Sequence, residues 1–416
     1  MLSSIMHNSV DVVAENTDLV TEILLRLPVK HVLQCKCICK KWRALITDPK
    51  FYYSHTLRSC DKPYPNSLLI PKFTRRFDEE TSKWKHEFKA QIIPFLNYND
   101  VNPAPIRILN LDSLNGPFTH ISLLLHSSNG LILCQASRSY VARRVPQHCR
   151  YYVCNPTISC FAVLDYPSEK FSPFTSMPYL VFEPLSSPFF KVILFNGLDG
   201  NDRRIAVYSS ETNSWNDEVG ICISSPPNLD FKHGVYCNGA IHWYTLGEEF
   251  VYFDVQRFCF DALPGPVSAN SDNACVKYFG ESGGHLHLIL VNSDESLEFD
   301  IWELKQDYTG WVVRYHVDLN RMAQGQGGPF PGHINTSFSV LYVARHSTEK
   351  NSMLVLQIDS QIISYNLMDD RTRFICYDAA EVTKSFPYLQ TLSCAGLEYR
   401  VGEHTLRSKL LISANG

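Results

Sequence analysis

The sequence predicts a mainly β protein, with a small three-helix module at the N-terminus and a large all-β domain behind it, most simply a β-propeller. Two observations predict this. Apolar residues recur at helical spacing only within roughly the first 50 positions, and beyond about residue 106 short β-branched and aromatic runs alternate with turn residues. Paired strands then recur at blade-like intervals. Stacked sheets, as in a β-sandwich, are the alternative fold.

Composition narrows the functional classes. The chain has 416 residues, 45% of them hydrophobic, which suffices for one small and one large domain. Its 38 Lys+Arg and 42 Asp+Glu leave a formal charge of −4, so no cationic excess favours nucleic acid. The first lysine is Lys30, and no apolar run approaches the ~20 residues that span a bilayer. We therefore expect neither a targeting peptide nor a membrane partner.

Fourteen cysteines are scattered along the chain, which is typical of reduced thiols in a cytoplasmic or nuclear protein. One cluster, Cys35, Cys37 and Cys39, has a C-x-C-x-C spacing that raises the question of zinc. No second Cys/His pair lies at a suitable distance, so we expect these three thiols to occupy buried, small apolar positions. No metal and no cofactor is expected.

Three short helices are predicted between residues 17 and 48. The first has Thr17 or Asp18 as its N-cap and ends at Pro28, and the third stops at Asp48-Pro49. So small a module buries little surface by itself, so another polypeptide is expected to cover one of its faces. The apolar positions are Leu19, Val20, Ile23, Leu24 and Leu27 in the first helix, Val29, Val32 and Leu33 in the second, and Ile38, Trp42, Leu45 and Ile46 in the third.

Prolines divide residues 60–105 into short pieces, among which Ser67–Ile70 and Gln91–Phe95 are strand candidates. The predicted organisation is a flexible tail at 1–14, the helical module at 15–55, a linker with the first strands at 56–105, and the β domain at 106–416.

Two patterns recur in the β domain. An aromatic residue, a polar turn and a second aromatic predict β-hairpins, which start 45 to 63 residues apart, close to the ~40–50 residues of a propeller blade. These pairs are Tyr152 and Phe161, Tyr208 and Trp215, Phe253 and Phe260, Trp302 and Trp311, and Tyr365 and Phe374. Glycine also leads several apolar strands, in NGLILC (129–134), NGAIHW (238–243) and GGHLHLIL (283–290).

The segment DLVTEILLRLPVKHVLQCKCICKKWRALITDPKF (18–51) resembles the F-box motif in the form common among plant F-box proteins. Downstream, GLILC, YYVCNPT, GAIHW and YFGESGGHLHL resemble the F-box-associated region of that family, which is related to kelch-type propellers. The resemblance implies that the helical module docks on a Skp-type adaptor, which connects to the cullin and RING subunits of an SCF-type ubiquitin ligase. It also implies that the β domain binds the protein to be ubiquitinated, whose identity the sequence does not name.

The resemblance also implies a set of adaptor-facing residues, since apolar side chains on such a module gain affinity by burial in a partner. Many F-boxes begin with Leu-Pro where this chain has Glu15-Asn16, which predicts weaker adaptor binding. The alternatives are that the same side chains pack within this chain, or that the propeller binds partners without cullin. The implied residues are Leu19, Ile23, Leu24, Leu27, Pro28, Val29, Leu33, Ile38 and Trp42.

Two features of the sequence raise the question of catalysis or metal binding. Gly280–Gly284 matches G-x-S-x-G, which would make Ser282 a serine-hydrolase nucleophile, but a strand and not a helix is predicted after it, so a hairpin turn is favoured. His285 and His287 share one strand face and could approach a metal, yet no third ligand is evident. No phosphate-binding loop is present. We therefore expect a non-catalytic receptor subunit.

Overall fold

A computed structural model describes the chain over residues 15–60, 65–78, 83–95, 106–110, 120–137, 150–164, 166–168, 171, 175–197, 202–216, 223–224, 229–244, 250–266, 275–292, 296–320, 338–378, 382–393, 398–401 and 404–407. The predicted tail at 1–14 lies outside these residues. None of the described helices has the length and apolar character needed to cross a bilayer.

The helices at the start of the described chain are α1 (Thr17–Leu24), α2 (Val29–Cys35), α3 (Lys40–Thr47) and α4 (Pro49–Cys60). The prediction of Thr17 or Asp18 as the first N-cap was wrong. Asn16 caps α1, because its side chain accepts hydrogen bonds from the N–H groups of Asp18 and Leu19. The prediction also missed α4, since Pro49 does end α3 but is well suited to the first turn of a new helix. Asp48 Oδ1 accepts from Lys50 N there.

The described strands form six sheets, each consisting of antiparallel neighbours. The first five strand groups are β1 (Ser67–Asp78), β2 (Lys83–Pro94) and β3 (Arg107–Asn110); β4 (His120–Ser128), β5 (Leu131–Ser137), β6 (Arg150–Asn155) and β7 (Cys160–Leu164); β8 (Ser176–Val181), β9 (Lys191–Gly197), β10 (Asp202–Ser209), β11 (Ser214–Asn216) and the short β12 (Ile223–Ser224); β13 (Val235–Cys237), β14 (Ala240–Tyr244), β15 (Phe250–Asp254) and β16 (Cys259–Leu263); and β17 (Cys275–Ser282), β18 (His285–Val291), β19 (Glu298–Leu304) and β20 (Trp311–Asp318).

The remaining strands complete and close the ring. They are β21 (Phe338–Ala344), β22 (Met353–Ile358), β23 (Gln361–Asn366) and β24 (Thr372–Tyr377) of the sixth sheet, β25 (Phe386–Tyr388), and β26 (Glu398–Val401) with β27 (His404–Arg407). Strand β25 pairs with β1 and becomes the innermost strand of the first sheet, while β26 pairs with the outer strand β7.

The innermost strands of the six sheets face one another around a central axis. Strand β25 packs on β4, β4 on β8, β8 on β13, β13 on β17 and β17 on β21. This arrangement is a six-bladed β-propeller. It confirms the predicted fold and excludes the stacked-sheet alternative. The ring is closed within the first blade. Its strands β1 to β3 come from the start of the propeller sequence, and its innermost strand, β25, comes from near the end.

The predicted hairpins are confirmed as the outer strand pairs of five successive blades. Tyr208 lies directly opposite Trp215, and Phe253 lies directly opposite Phe260. The glycine-led strands are the second strands of their blades, and each glycine lies in the turn that follows an inner strand. The turn residues and the aromatic pairs in the sequence therefore predicted the blade repeat correctly.

Two of these turns provide a matched test of how the ring is closed. Gly130 and Gly239 have similar φ angles of +86° and +81°, so alanine is strained at either position. A Cβ at Gly130 would also come within 2.7 Å of the carbonyl oxygen of Leu389, in the closing segment formed by residues 386–393. A Cβ at Gly239 would have no heavy atom of the described residues within 4 Å beyond its chain neighbours.

We expect Gly239→Ala to lower the free energy of unfolding by about 1–2 kcal/mol through backbone strain alone. Gly130→Ala should cost at least about 1 kcal/mol more, because it adds overpacking to the same strain. Urea unfolding of both variants measures the difference, and equal losses would show that the closing segment does not press on this turn.

Candidate functional site

The nine predicted adaptor-facing residues fall into three groups on the helical module. Leu19 is 46% exposed, Ile23 47% and Ile38 62%, and Pro28 is also exposed. Leu27, Leu33 and Trp42 are half-buried against the core beneath the helices. Leu24 and Val29 lie inside that core, with Leu24 fully buried. Of the implied set, these last two side chains are buried within the chain, and the contact of the nine residues with an adaptor stays a prediction.

The exposed apolar side chains lie on α1 and in the turn before α3. Leu19 and Ile23 are one turn apart on the same side of α1. Ile38 lies in the turn between α2 and α3, and Lys41 Nζ donates a 2.6 Å hydrogen bond to the Glu15 carbonyl oxygen, which holds the start of α3 beside the start of α1. Exposed apolar residues grouped in this way are typical of an interaction surface.

Charged contacts hold α1 against α4. Glu22 pairs at 2.5 Å with Arg26, in the turn that follows α1, and at 3.1 Å with Arg58 of α4. The hydrogen bonds from Arg26 and Arg58 lower the pKa of the Glu22 carboxyl. Both pairs are exposed to solvent, so they orient the helices more than they stabilise them.

The far side of the module is fixed to the propeller. Leu24, Val32 and Tyr52 share one core with residues of β5 to β9, including Leu133 and Leu194. This shared core gives the module the covered face that three or four short helices need. The helices therefore present their remaining apolar residues from a firmly held base.

Polar contacts reinforce the attachment. Tyr53 of α4 donates from its hydroxyl to the Pro184 carbonyl oxygen at 3.3 Å, in the loop after β8. Within the module, His55 Nε2 lies 2.9 Å from the Leu27 carbonyl oxygen. Burial lowers the pKa of His55, so its imidazole is neutral at pH 7 and donates this hydrogen bond.

A cavity of about 510 Å³ opens in the propeller, and Pro184, which accepts the hydrogen bond from Tyr53, is among its lining residues. The turns that follow inner strands form its wall, together with the loop after β8 and Pro65, which precedes β1. Its charged side chains are Glu183 and Glu281, and His126 also lines it. The sequence did not predict this grouping, because the three residues lie more than fifty positions apart in different blades. The one motif nearby, Gly280–Gly284, drew attention to Ser282 and not to Glu281.

The residues considered for catalysis and metal binding have structural partners. Ser282 is buried, and its Oγ accepts hydrogen bonds from Arg345 N at 2.9 Å and Tyr342 OH at 3.1 Å. The predicted hairpin at this serine is confirmed, since it ends β17 and two glycines form the turn. His285 and His287 both approach Glu303, at 3.3 and 3.4 Å, a neighbour that sequence analysis had missed. Glu303 also pairs with Arg345 at 2.8 Å, and the described residues contain no cluster suited to a metal ion.

The cysteine prediction was partly wrong. Cys35 ends α2 and is half-buried against the core, whereas Cys37 and Cys39 are exposed because they lie in the turn between α2 and α3. Cys39 has a local role, since its Sγ accepts a 3.4 Å hydrogen bond from Trp42 N at the start of α3.

Comparison with known proteins agrees with this architecture. Residues 16–54 match the F-box domain, and residues 111–386 match the family described as "F-box protein At3g26010-like, beta-propeller". F-box protein At5g07610 of Arabidopsis thaliana is 26% identical over 393 residues, which cover 89% of this chain and 87% of that protein. F-box protein At5g49610 of the same plant is 24% identical, with 79% of this chain and 85% of that protein covered.

Among solved structures, a chain of the nidogen/laminin complex is 9% identical, with 78% of this chain and 99% of that chain covered. Its TM-score of 0.40 is too low to inform on function. The match over most of the propeller, joined to an F-box on the exposed helical module, is decisive: this chain belongs to the F-box protein At3g26010-like β-propeller family.

Proposed function

We propose that this protein is the substrate-receptor subunit of an SCF-type ubiquitin ligase, with the helices binding a Skp-type adaptor and the propeller binding the target. The observation that carries the proposal is the division of the helical module. Its buried side is fixed to the propeller, whereas Leu19, Ile23 and Ile38 remain exposed on the surface.

The energetics of this surface suit a stable complex. Burial of a Leu or Ile side chain in a partner contributes about 1.5–3 kcal/mol, and the half-buried Leu27, Leu33 and Trp42 still have surface to lose. A few such residues outweigh the cost of association when they are held rigidly beforehand. The shared core with β5 to β9 provides that rigidity.

The departure from Leu-Pro at Glu15-Asn16 is compatible with this role. Asn16 caps α1 with two backbone hydrogen bonds, at 3.0 and 3.2 Å, and the Glu15 carbonyl oxygen accepts from Lys41. A capped helix gains about 1 kcal/mol. Glu15 and Asn16 therefore order the start of α1 in place of Leu-Pro.

In this role the protein needs no catalytic group of its own. The other subunits, namely the adaptor, the cullin and the RING subunit, position the conjugating enzyme that carries ubiquitin. The receptor raises the local concentration of the target's lysines beside that enzyme. A protein with this role acts in the cytoplasm or nucleus.

Reconstitution tests the adaptor half of the proposal. The purified chain, mixed with a purified Skp-type adaptor of Arabidopsis thaliana, should elute as a 1:1 complex with a dissociation constant of about 1 µM or tighter, because several apolar side chains become buried together. Size-exclusion chromatography and calorimetry measure this. A chain that stays separate from the adaptor at about tenfold higher concentration would favour a propeller that acts without cullin.

The target half is tested by affinity capture from plant cells with and without proteasome inhibition. Proteins that bind the full chain and accumulate under inhibition are the expected clients. Their stability should become independent of this protein once the adaptor surface is disrupted.

A further inference from the structure

The cavity between the propeller turns has an unbalanced charge. The described residues that line it include the carboxylates Glu183 and Glu281 but no lysine or arginine. Elsewhere the propeller pairs its buried carboxylates with cations, as in Lys72 with Asp378 and Arg345 with Glu303. A carboxylate pair without a cation in a protected cavity favours a cationic guest.

The two carboxylates act on the same part of the cavity. Both lie close enough to the Cys237 thiol that their charges raise its pKa, together with burial as the main cause. Tyr236 OH donates to Glu183 Oε1 at 2.8 Å, and Gly284 N donates to Glu281 Oε1 at 2.8 Å. These neutral donors orient the carboxylates but leave their charge uncompensated.

The two asparagine side chains around the cavity are already occupied. The side-chain amides of Asn129 and Asn238 donate to the carbonyl oxygens of Phe182 and Gly284, at 2.7 and 2.8 Å. They brace one turn against the next, which makes the wall rigid. The carboxylates are thereby left as the groups able to bind a charged ligand.

His126 supplies an independent sign of a missing partner. It lines the cavity, and its Nδ1 is buried without a hydrogen-bond partner among the described residues. Burial, and to a smaller extent the positive charge of Lys384, lower the pKa of His126 to about 3, so the ring is uncharged at neutral pH. Lys384 is not among the described residues that line the cavity. A buried polar atom without a partner costs free energy that a polar ligand could recover.

The cavity also has apolar surface that could contact the aliphatic part of a cationic ligand. Pro65, Pro184, Leu185, Pro387 and Leu389 line it together with the carboxylates, and Leu185 is 65% exposed. Lysine and arginine side chains bury their methylenes along apolar surface while their charged heads find a polar partner. A volume of about 510 Å³ is within the usual range for a ligand site.

We propose that this cavity is the recognition site of the propeller for a guanidinium or ammonium group on an aliphatic stem, held by Glu183 and Glu281. The group comes from a basic side chain of the target or from a small amine. This inference rests on the proposed target-binding role of the propeller, but not on adaptor binding.

Binding of a defined probe tests the proposal on the full chain. The probes are the peptide Ac-Gly-Gly-Arg-Gly-Gly-NH₂, its citrulline counterpart, which is isosteric and uncharged, and free argininamide, each titrated calorimetrically to about 5 mM. The arginine peptide should bind at least about tenfold more tightly than the citrulline peptide. If argininamide binds more weakly than the arginine peptide, the natural ligand is a basic side chain of a polypeptide. If the two affinities are equal, the natural ligand is a small amine.

Isosteric variants locate the site. Glu281→Gln should weaken the arginine peptide by about tenfold or more, and Glu183→Gln combined with it should abolish binding, since glutamine can still accept the hydrogen bonds from Gly284 and Tyr236. Asp359→Asn removes the same charge from an exposed turn between β22 and β23, at the opposite end of the propeller, and should leave binding unchanged.

The dependence on pH gives a second readout. Burial raises the pKa of Glu281 to about 7, so this carboxyl is mostly neutral at pH 6 and mostly ionised at pH 8. The groups that face it, Cys237, Tyr278 and Tyr342, have pKa values raised by burial and stay protonated over this range. Affinity for the arginine peptide should therefore rise by about fivefold from pH 6 to pH 8, and Glu281→Gln should remove most of the rise.

Equal binding of the arginine and citrulline peptides would overturn the proposal. So would an unchanged affinity in the folded double variant, or no detectable binding to the parent chain. Adaptor binding, measured on the same variants, should be unaffected, which separates a failure of this inference from a failure of the proposed ligase role.

Discussion

Replacing Ile23 and Ile38 together by aspartate should reduce the affinity for a Skp-type adaptor by at least about 100-fold while the propeller stays folded. Each isoleucine is roughly half exposed or more, at 47% and 62%, so neither supports the core of the chain. Burial of each in a partner contributes about 1.5–3 kcal/mol, and a buried aspartate adds a desolvation cost. Loss of both contributions corresponds to a factor of 100 or more.

A matched control separates surface loss from unfolding. Met368 is 52% exposed in the turn between β23 and β24, far from the helices in the fold, and turns accept aspartate readily. Met368→Asp should leave adaptor affinity unchanged. Calorimetry reports binding and thermal unfolding reports folding. Wild-type affinity in the folded Ile23→Asp/Ile38→Asp protein would contradict the proposed docking surface.

Ending the chain at residue 383 should prevent the propeller from closing. The truncation removes β25, whose Phe386 and Tyr388 are buried, and Leu392, which is fully buried. It also removes the carbonyl acceptors of the buried Asn155 side chain, whose Nδ2 lies 3.0 Å from Thr391 O and 2.9 Å from Ser393 O. Loss of a single large core side chain costs about 3–5 kcal/mol.

The combined loss should therefore exceed about 5 kcal/mol, which is comparable to the whole stability of many domains. A chain that ends at residue 393 retains every one of these contacts and should lose much less. Soluble yield and urea unfolding of the two truncations measure the effect. Similar stability of both would show that β25 is dispensable for closure.

Much of this fold could be predicted because its signals are local. Aromatic pairs such as Phe253 and Phe260 flank a turn within eight residues, and the Asn-Gly turn at Asn238 requires left-handed backbone that few residues tolerate. Such signals depend on neighbouring residues alone. They therefore predicted strand pairs, their spacing and the blade repeat, and the propeller was confirmed.

The helical module shows where local information ends. Ile23 and Leu24 are adjacent apolar residues on one helix, yet Ile23 is 47% exposed and Leu24 is fully buried. Periodicity identified both as belonging to an apolar stripe. Which of them remains available to a partner depends on where β5 to β9 supply a covering surface.

The amino-acid sequence by itself determined the class of elements, their order and the F-box resemblance, since backbone preference and apolar spacing are properties of short segments. Only the tertiary structure decided that β25 closes the ring, that Leu24 and Val29 are buried within the chain, and that Glu183 and Glu281 share one cavity. The physical reason is that burial and charge pairing depend on contacts between residues far apart in the chain, which no local pattern specifies.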